Sequence, residues 1–268
     1  MSRASKNRRG IADLPSAVLQ IPIVCGLIGL WYGLTETAVL PKFFFGEPFK
    51  VFGVLWHWFT SGEIFPHLGV TLVETVLAFV FGALLGLVIG LWLALNPTAS
   101  RLADPYIKAA NAMPRVVLAP IFAVWFGLGI WSKVALGVTL VFFIVFFNVY
   151  QGIREVSPVL LANARVLGAN ARQLLRTVYL PSATSWVFSS LHTSVGMAFV
   201  GAVVGEYLGS ARGVGYLILQ AEGVFDINTV FAGMLVLTAF ALVLDQAVGV
   251  VEKRLLVWRP THGETEKL

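Results

Sequence analysis

The chain has 268 residues, of which 57% are hydrophobic and 12% are charged, and its mean hydropathy is +0.82. Since a soluble domain carries about 25% charged residues, this composition leaves too little polar surface to cover a water-soluble globular protein. The formal net charge is +5, but the basic residues cluster between apolar runs. We therefore interpret them as orientation signals in a lipid bilayer and expect no nucleic-acid partner.

Six apolar segments are candidates for membrane-spanning helices, because about 20 apolar residues cross the core of a bilayer. The third candidate is interrupted by two prolines and two basic residues, and we predict a kink at Pro120. The first follows a basic start, and we interpret it as an uncleaved span rather than a signal peptide. In chain order the segments are Ser16–Leu34, Leu68–Leu95, Tyr106–Phe126, Ser132–Gln151, Ser182–Leu208 and Thr229–Val251.

Two further apolar segments are too short or too polar to span. Phe49–Phe65 is rich in aromatic residues, which favour the membrane interface, so we predict a helix on the outer surface. Arg212–Asp226 holds an apolar patch between two glycines and is predicted to be a re-entrant or lateral helix.

The distribution of basic residues predicts the orientation of the chain. Fifteen of the 19 lysine and arginine residues fall in the two tails, around the start of the third span, and between the fourth and fifth spans. The positive-inside rule places that side, and both termini, in the cytoplasm. The remaining four are assigned to the outer side: Lys42, Lys50, Lys133 and Arg212.

Glycines recur at a spacing of four residues in the second and fifth spans. This spacing places them on one helix face, where a missing side chain lets two backbones approach closely. We predict that they are helix-packing positions, and a seam that slides during transport is the alternative. The glycines are Gly82, Gly86 and Gly90 in the second span and Gly201, Gly205 and Gly209 in the fifth.

Polar side chains within the spans are costly in lipid and are candidates for a transport pathway. We take Glu74, Asn148, His192 and Glu206 as possible pathway-lining residues. Reaching the outer interface is the alternative for the two glutamates, and hydrogen bonding between helices is the alternative for His192. Asp245, near the inner end of the sixth span, is expected to pair with a basic residue.

The longest cytoplasmic connection between predicted spans is Ile153–Pro181. Ser157 and Pro158 are suited to begin a helix, and Gly168 is suited to the left-handed conformation that ends one. A second helix, Arg172–Leu180, is predicted to run into Pro181. These two helices form a compact cytoplasmic knob, and a loop whose arginines bind lipid phosphates is the alternative. In the first helix one face is shared by Leu160, Leu161, Ala164 and Leu167.

This connection resembles the EAA loop of ABC-importer permeases, whose pattern is Glu-Ala-Ala, three residues, Gly, nine residues and Ile-x-Leu-Pro. Here Gly168 is followed by nine residues and then by Val178–Pro181. The family's Glu-Ala-Ala falls on Ala162, Asn163 and Ala164, so its glutamate is replaced by alanine. The residues that the resemblance assigns to coupling with an ATPase are Ser157, Leu161, Ala162, Asn163, Ala164, Arg165, Leu167, Gly168, Leu180 and Pro181.

Two other stretches, Met113–Val138 and Gly205–Gly233, are similar to the equivalent stretches of nitrate/sulfonate/taurine-type permeases. The resemblance implies an all-α integral membrane protein with about six transmembrane helices and the type I ABC importer transmembrane-domain fold. On that basis residues 1–67 hold a basic tail, the first span and the outer helix. Residues 68–259 form the permease core with the coupling loop at 153–181, and residues 260–268 form a cytoplasmic tail.

The resemblance further implies a multi-pass inner-membrane permease that is not itself an enzyme. Two copies, expected to be identical, would surround the pathway, two ATPase subunits would hold ATP and Mg²⁺, and an extracytoplasmic binding protein would deliver the solute. The sequence lacks the GxxxxGK[ST] phosphate loop, in agreement with ATP hydrolysis by a partner. No cofactor or metal is expected in this chain.

Two questions stay open at the level of sequence. A nitrate-, sulfonate- or taurine-like anion is the family-type solute, but no Lys or Arg lies deep in four of the spans, so a small heterocycle such as a pyrimidine precursor is the alternative. An ion-coupled secondary transporter would favour inverted repeats, and none is clear. An intramembrane enzyme is disfavoured because His192 and Ser194 are two residues apart and point to different helix faces.

Overall fold

The computed structural model describes residues 16–255, without the side chains of residues 16–21, 183–185, 187, 189, 191, 251–253 and 255. The predicted tails at 1–15 and 260–268 lie outside the described residues. All regular secondary structure within 16–255 is helical, which confirms the predicted all-α fold class.

The N-terminal part forms one long helix and two short ones on the predicted outer side. α1 (Ser16–Glu36) is followed by α2 (Lys42–Phe45) and α3 (Pro48–Ser61). α3 buries Val51 and Trp58 in a cluster shared with the last helix of the chain, while its opposite face exposes Phe49 and Trp56. This two-faced helix corresponds to the predicted surface segment.

The centre of the fold is the pair α4 (Ile64–Leu95) and α7 (Ile130–Arg154). Their shared core contains Ala78, Val141 and Val145. The two helices meet along the glycine face predicted for the second span. A Cβ atom at Gly82 would lie 2.6 Å from the Cβ of Val141, and one at Gly86 would lie 2.8 Å from the carbonyl oxygen of Phe142. These positions therefore require glycine; Gly90 lies one turn further along the same contact, against Phe146 and Val149.

The predicted third span, Tyr106–Phe126, is broken and not merely kinked. α5 (Pro97–Ala112) leads through a 3₁₀ turn to α6 (Ala119–Phe126), and the two halves make an angle of 85°. The break lies before Pro114, because a proline disfavours helical backbone in the preceding residue, and Met113 is extended at φ −69° and ψ 133°. Pro120 lies in the first turn of α6, where a proline costs no hydrogen bond.

The predicted fifth span is also divided, into α10 (Leu180–Ser189) and α11 (Leu191–Leu208). α11 packs on α7 through two of the three predicted glycines. A Cβ atom at Gly201 would lie 2.5 Å from the Cα of Gly137, and one at Gly205 would lie 2.8 Å from Cγ of Lys133. Gly209 follows the end of α11 and is less crowded, since its nearest neighbour would be Leu128 at 3.1 Å.

The C-terminal part contains the predicted lateral helix and a long final helix. α12 (Val214–Gly223) packs between α11 and α13 (Ile227–Leu255). Gly213 precedes it with φ 111°, which is a backbone conformation that favours glycine.

Three described helices are long and apolar enough to cross a bilayer: Ile64–Leu95, Ile130–Arg154 and Ile227–Val250. The bent pair Pro97–Ala112 and Arg115–Phe126 counts as a fourth if it is one broken span. The count of six stays a prediction.

Candidate functional site

The predicted cytoplasmic knob begins directly after α7. α8 (Pro158–Val166) starts at the expected proline, and Gly168 adopts φ 86°, so the predicted short helix and left-handed glycine are confirmed. Ser157 precedes α8 but its side chain makes no capping hydrogen bond. The fixed φ of Pro158 is itself suited to the first turn, so α8 begins without a side-chain cap.

The second half of the knob differs from its prediction. α9 (Ala171–Leu174) begins in a capping box that was not predicted. The N–H of Gln173 donates to Oδ1 of Asn170 at 2.9 Å, and the N–H of Asn170 donates to Oε1 of Gln173 at 2.8 Å. The Asn-x-x-Gln spacing was the available signal, since the same arrangement is known for Ser or Thr with Glu or Gln.

The helix does not end at Pro181 as predicted. A π-helical turn, Leu175–Tyr179, joins α9 to α10, and the helical backbone continues to Ser189. A proline ring clashes with the carbonyl group four residues before it in a regular α-helix. The wider π turn before Pro181 relieves that clash.

The tip of the knob exposes apolar side chains. Val166 and Leu167 are 86% and 87% exposed, and Val159 and Leu160 are also exposed. The base is held to the spans, because the hydroxyl of Ser182 donates to the carbonyl oxygen of Gly152 at 3.2 Å. Several exposed apolar side chains on one tethered element are typical of a site that a partner protein covers.

The residues assigned to coupling by resemblance divide between tip and base. Leu161 and Ala164 are half-buried on the inner face of α8, and Leu180 is half-buried in α10. The exposed members are Ser157, Ala162, Asn163, Arg165, Leu167, Gly168 and Pro181.

The four pathway candidates are not gathered at one place. Nδ1 of His192 and Oδ1 of Asp245 are 2.8 Å apart, so Asp245 pairs with a basic residue as predicted and α11 is linked to α13. Nδ2 of Asn148 donates to the carbonyl oxygen of Ile144 in its own helix at 2.8 Å. A cavity of about 230 Å³ between α4, α11 and α13 is lined by one polar residue, Thr75, and by apolar side chains.

Glu74 and Glu206 lie together in the protein interior and do not extend to the protein surface. They are 1% and 0% exposed, and Lys133 beside them is 0% exposed. Lys133, which was assigned to the outer side, is thus buried near the start of α7 and does not lie in an exposed loop. Its Nζ donates to the carbonyl oxygens of Leu128 at 2.6 Å and Gly129 at 3.1 Å, so these two groups take the place of water around the ammonium group.

The missed cluster had a sequence signal. One basic residue stands at the outer end of the fourth span, and one acidic residue stands at the outer end of each of the second and fifth spans. Opposite charges at the same depth in neighbouring helices are expected to pack together. The sequence alone did not show that these three helices are neighbours.

Comparison with known proteins gives a family and a fold. A model of the family described as "Binding-protein-dependent transport system inner membrane component" matches residues 82–257. The chain is 33% identical over 249 residues to the putative aliphatic sulfonates transport permease protein SsuC of Bacillus subtilis (strain 168), covering 93% of this chain and 87% of that protein.

Other similar proteins are named for different substrates. The chain is 34% identical over 195 residues to the formylaminopyrimidine transport permease protein ThiX of Halalkalibacterium halodurans, covering 73% of this chain and 78% of that one. Among solved structures, an inward-facing MetNI methionine ABC transporter is similar with a TM-score of 0.60 and 19% identity, covering 70% of this chain and 92% of that chain. The last similarity shows the fold alone.

Proposed function

The chain belongs to the binding-protein-dependent transport system inner membrane component family, and from that premise we propose how its parts serve transport. It is an inner-membrane permease subunit of an ABC importer and not an enzyme, and ATP hydrolysis belongs to partner subunits. The proposal is that the knob formed by α8, Gly168 and α9 is the surface on which an ATPase subunit acts.

The exposed apolar tip of the knob is the observation that carries this proposal. Val166 and Leu167 are almost fully exposed, and burying apolar surface contributes about 25 cal/mol per Å². Binding of this tip in a cleft of an ATPase subunit would bury its apolar side chains. ATP and Mg²⁺ are then bound by that partner, with no cofactor in this chain.

We propose that two copies of the chain pair around the pathway, that two ATPase subunits bind their knobs, and that an extracytoplasmic binding protein delivers the solute. The support is family membership and the type I fold of the similar transporter. The helices of the permease move between two arrangements, because contacts with the ATPase subunits that depend on ATP favour one arrangement over the other. Family membership favours this ATP-driven mechanism over ion-coupled secondary transport.

The proposed solute is small and is either a sulfonate-like anion or a neutral or cationic heterocycle. The named substrates of the similar permeases include both classes. Among the described spans, Lys133 is buried and its ammonium group donates to two backbone carbonyls. It is therefore poorly placed to clamp an anion in the pathway, and we propose that the binding protein supplies most of the selectivity.

Substitution at the tip of the knob tests the proposed docking. We expect Leu167→Asp to reduce both ATPase co-purification and ATP-driven uptake into proteoliposomes at least about tenfold, because docking would bury an unpaired charge. Leu167→Met is the matched control and should retain both activities. Normal co-purification and uptake by Leu167→Asp would contradict docking at this tip, and uptake by the chain alone under an ion gradient without ATP would support the alternative.

A further inference from the structure

A buried polar cluster joins four helices at the predicted outer end of the molecule. Glu206 lies on α11, Glu74 and Thr71 lie on α4, Lys133 lies on α7, and the N-terminus of α12 closes the group. Thr71 is 0% exposed, like Glu206 and Lys133. The cluster is separate from the knob and from the His192–Asp245 pair, and transport as proposed above gives it no role.

Glu206 makes the contacts that hold α12 in place. The hydroxyl of Thr71 donates to Oε1 of Glu206 at 2.6 Å, and the N–H of Gly215 donates to Oε2 of Glu206 at 2.8 Å. The N–H of Val214 donates to the same threonine hydroxyl oxygen at 3.2 Å. Two free N–H groups at the start of a helix are thus satisfied by groups from two other helices.

The two carboxyl groups have different environments. Both oxygens of Glu206 accept a hydrogen bond, which suits an ionised carboxylate. Glu74 contacts Glu206 through its own carboxyl group, and its Oε2 has no hydrogen-bond partner among the described residues. A buried carboxylate with an unsatisfied oxygen is costly, and two adjacent carboxylates repel each other.

A single proton on Glu74 would remove both the cost of its unsatisfied carboxylate oxygen and the repulsion between the two carboxylates. If Glu74 is protonated, its O–H donates to the Glu206 carboxylate and the repulsion disappears. The ammonium group of Lys133 forms no ion pair with Glu206 within 4 Å, but its positive charge acts on that carboxyl group and offsets its negative charge in the net charge of the cluster. Burial of the three groups without that proton would leave an uncompensated negative charge.

We propose that the Glu74–Glu206 pair binds a single proton, carried by Glu74, and that the Glu206 carboxylate is the positioning residue that fastens α12 to α4 and α11. The two glutamates are then expected to respond differently to substitution by glutamine. Glutamine imitates a protonated glutamic acid, because its amide still donates to Glu206. At position 206, however, glutamine replaces one acceptor oxygen with an amino group, although Thr71, Gly215 and Glu74 all donate to this side chain.

The test compares Glu74→Gln with Glu206→Gln in the full-length chain in lipid nanodiscs. We expect Glu74→Gln to keep the Tm of the wild type, and Glu206→Gln to lower it by roughly 5 °C or more, since a buried donor loses its acceptor. Equal losses in the two variants, or a larger loss in Glu74→Gln, would overturn the proposal.

Infrared spectroscopy reads the proton directly and does not depend on the stability of Glu206→Gln. The wild type should show the carbonyl stretch of a protonated carboxyl group at neutral pH, and this band should be lost in Glu74→Gln. A band that persists unchanged in Glu74→Gln would show that the proton is elsewhere. If Glu206→Gln cannot be purified, this comparison of wild type and Glu74→Gln decides the question.

Discussion

Gly86 shows how a single residue determines the distance between the two central helices. A Cβ atom there would lie 2.8 Å from the carbonyl oxygen of Phe142, 2.9 Å from the Cβ of Val145 and 3.0 Å from the backbone nitrogen of Phe146. Two of these three atoms belong to the backbone and move only if α7 moves. The close contact between α4 and α7 therefore requires glycine at position 86.

Substitution of Gly86 by alanine is expected to destabilise the protein. Overpacking costs about 1–3 kcal/mol, and the Tm measured in nanodiscs should fall by several degrees. Gly196→Ala is the matched control, because Gly196 is also helical and has nothing within 4 Å of a Cβ atom. An equal Tm for the two variants would contradict a tight α4–α7 contact.

The charged residues at the start of α3 allow a prediction about ionisation. The hydrogen bond from Lys50 holds the pKa of the Glu47 carboxyl below its ordinary value, and the charges of Lys50 and Lys42 act in the same direction. We expect ¹³C NMR of Glu47 to show titration below that value, with a return towards it in Lys50→Met. The pKa of Glu47 is lower in the folded protein than in the unfolded chain. The stabilisation by the Lys50–Glu47 contact is therefore present above the unfolded-state pKa and is lost as the pH falls through the folded-state pKa. Titration of Glu47 at the same pH in both proteins would contradict this contact.

At the scale of elements, α9 is the first turn of a longer helical backbone, and a cap determines where it starts. Its first turn is held by the reciprocal bonds between Asn170 and Gln173. The first N–H groups of a helix have no partner within the helix, and the cap supplies one for them. The capping box therefore determines where the second half of the knob begins.

Removal of this cap should loosen the start of α9 and leave the spans intact. Loss of an Asn cap costs about 1 kcal/mol, so we expect amide hydrogen exchange over residues 171–175 to become roughly fivefold faster in Asn170→Ala. Asn163→Ala, which changes an exposed asparagine inside α8, is the control. Unchanged exchange in Asn170→Ala would show that the box contributes nothing.

At the scale of the whole molecule, the orientation of the chain rests on charge asymmetry. Cys25 is the one cysteine in the sequence, so a Cys25→Ser background accepts single reporter cysteines. Leu167 on the knob and Trp56 on α3 are both highly exposed. In intact cells we expect a membrane-impermeant thiol reagent to label Trp56→Cys and not Leu167→Cys, with the reverse result in inside-out vesicles. The opposite pattern would reverse the predicted topology.

Much of the fold could be predicted from apolar runs and from the local positions of proline and glycine. The apolar runs predicted α4, α7 and α13, and the proline and glycine positions predicted α8 and its left-handed end. The break before Pro114 was missed because two prolines competed, and local sequence did not say which one begins a helix. The helix through Pro181 was missed because the π turn before it accommodates the ring.

Of the two candidate sites, the one built from local sequence was predictable and the one built from distant helices was not. The knob was predictable because its signals lie within one short segment. The cluster of Glu74, Lys133 and Glu206 was not, because its members come from three helices far apart in sequence. Which helix faces meet is determined by packing contacts such as those of Gly201 and Gly205 with α7, and a single sequence does not show them.

The uninterrupted helical backbone from Ala171 to Ser189 has a mechanical consequence. At about 1.5 Å per residue this segment is a rod of roughly 28 Å, and it carries the knob's second half at one end. A flexible loop would absorb a push, whereas a rod of this kind transmits it along its length. The first place for the rod to pivot is Ser190, where α10 ends and α11 begins. A force applied to the knob would therefore act at that joint, and the π turn before Pro181 keeps the helix continuous.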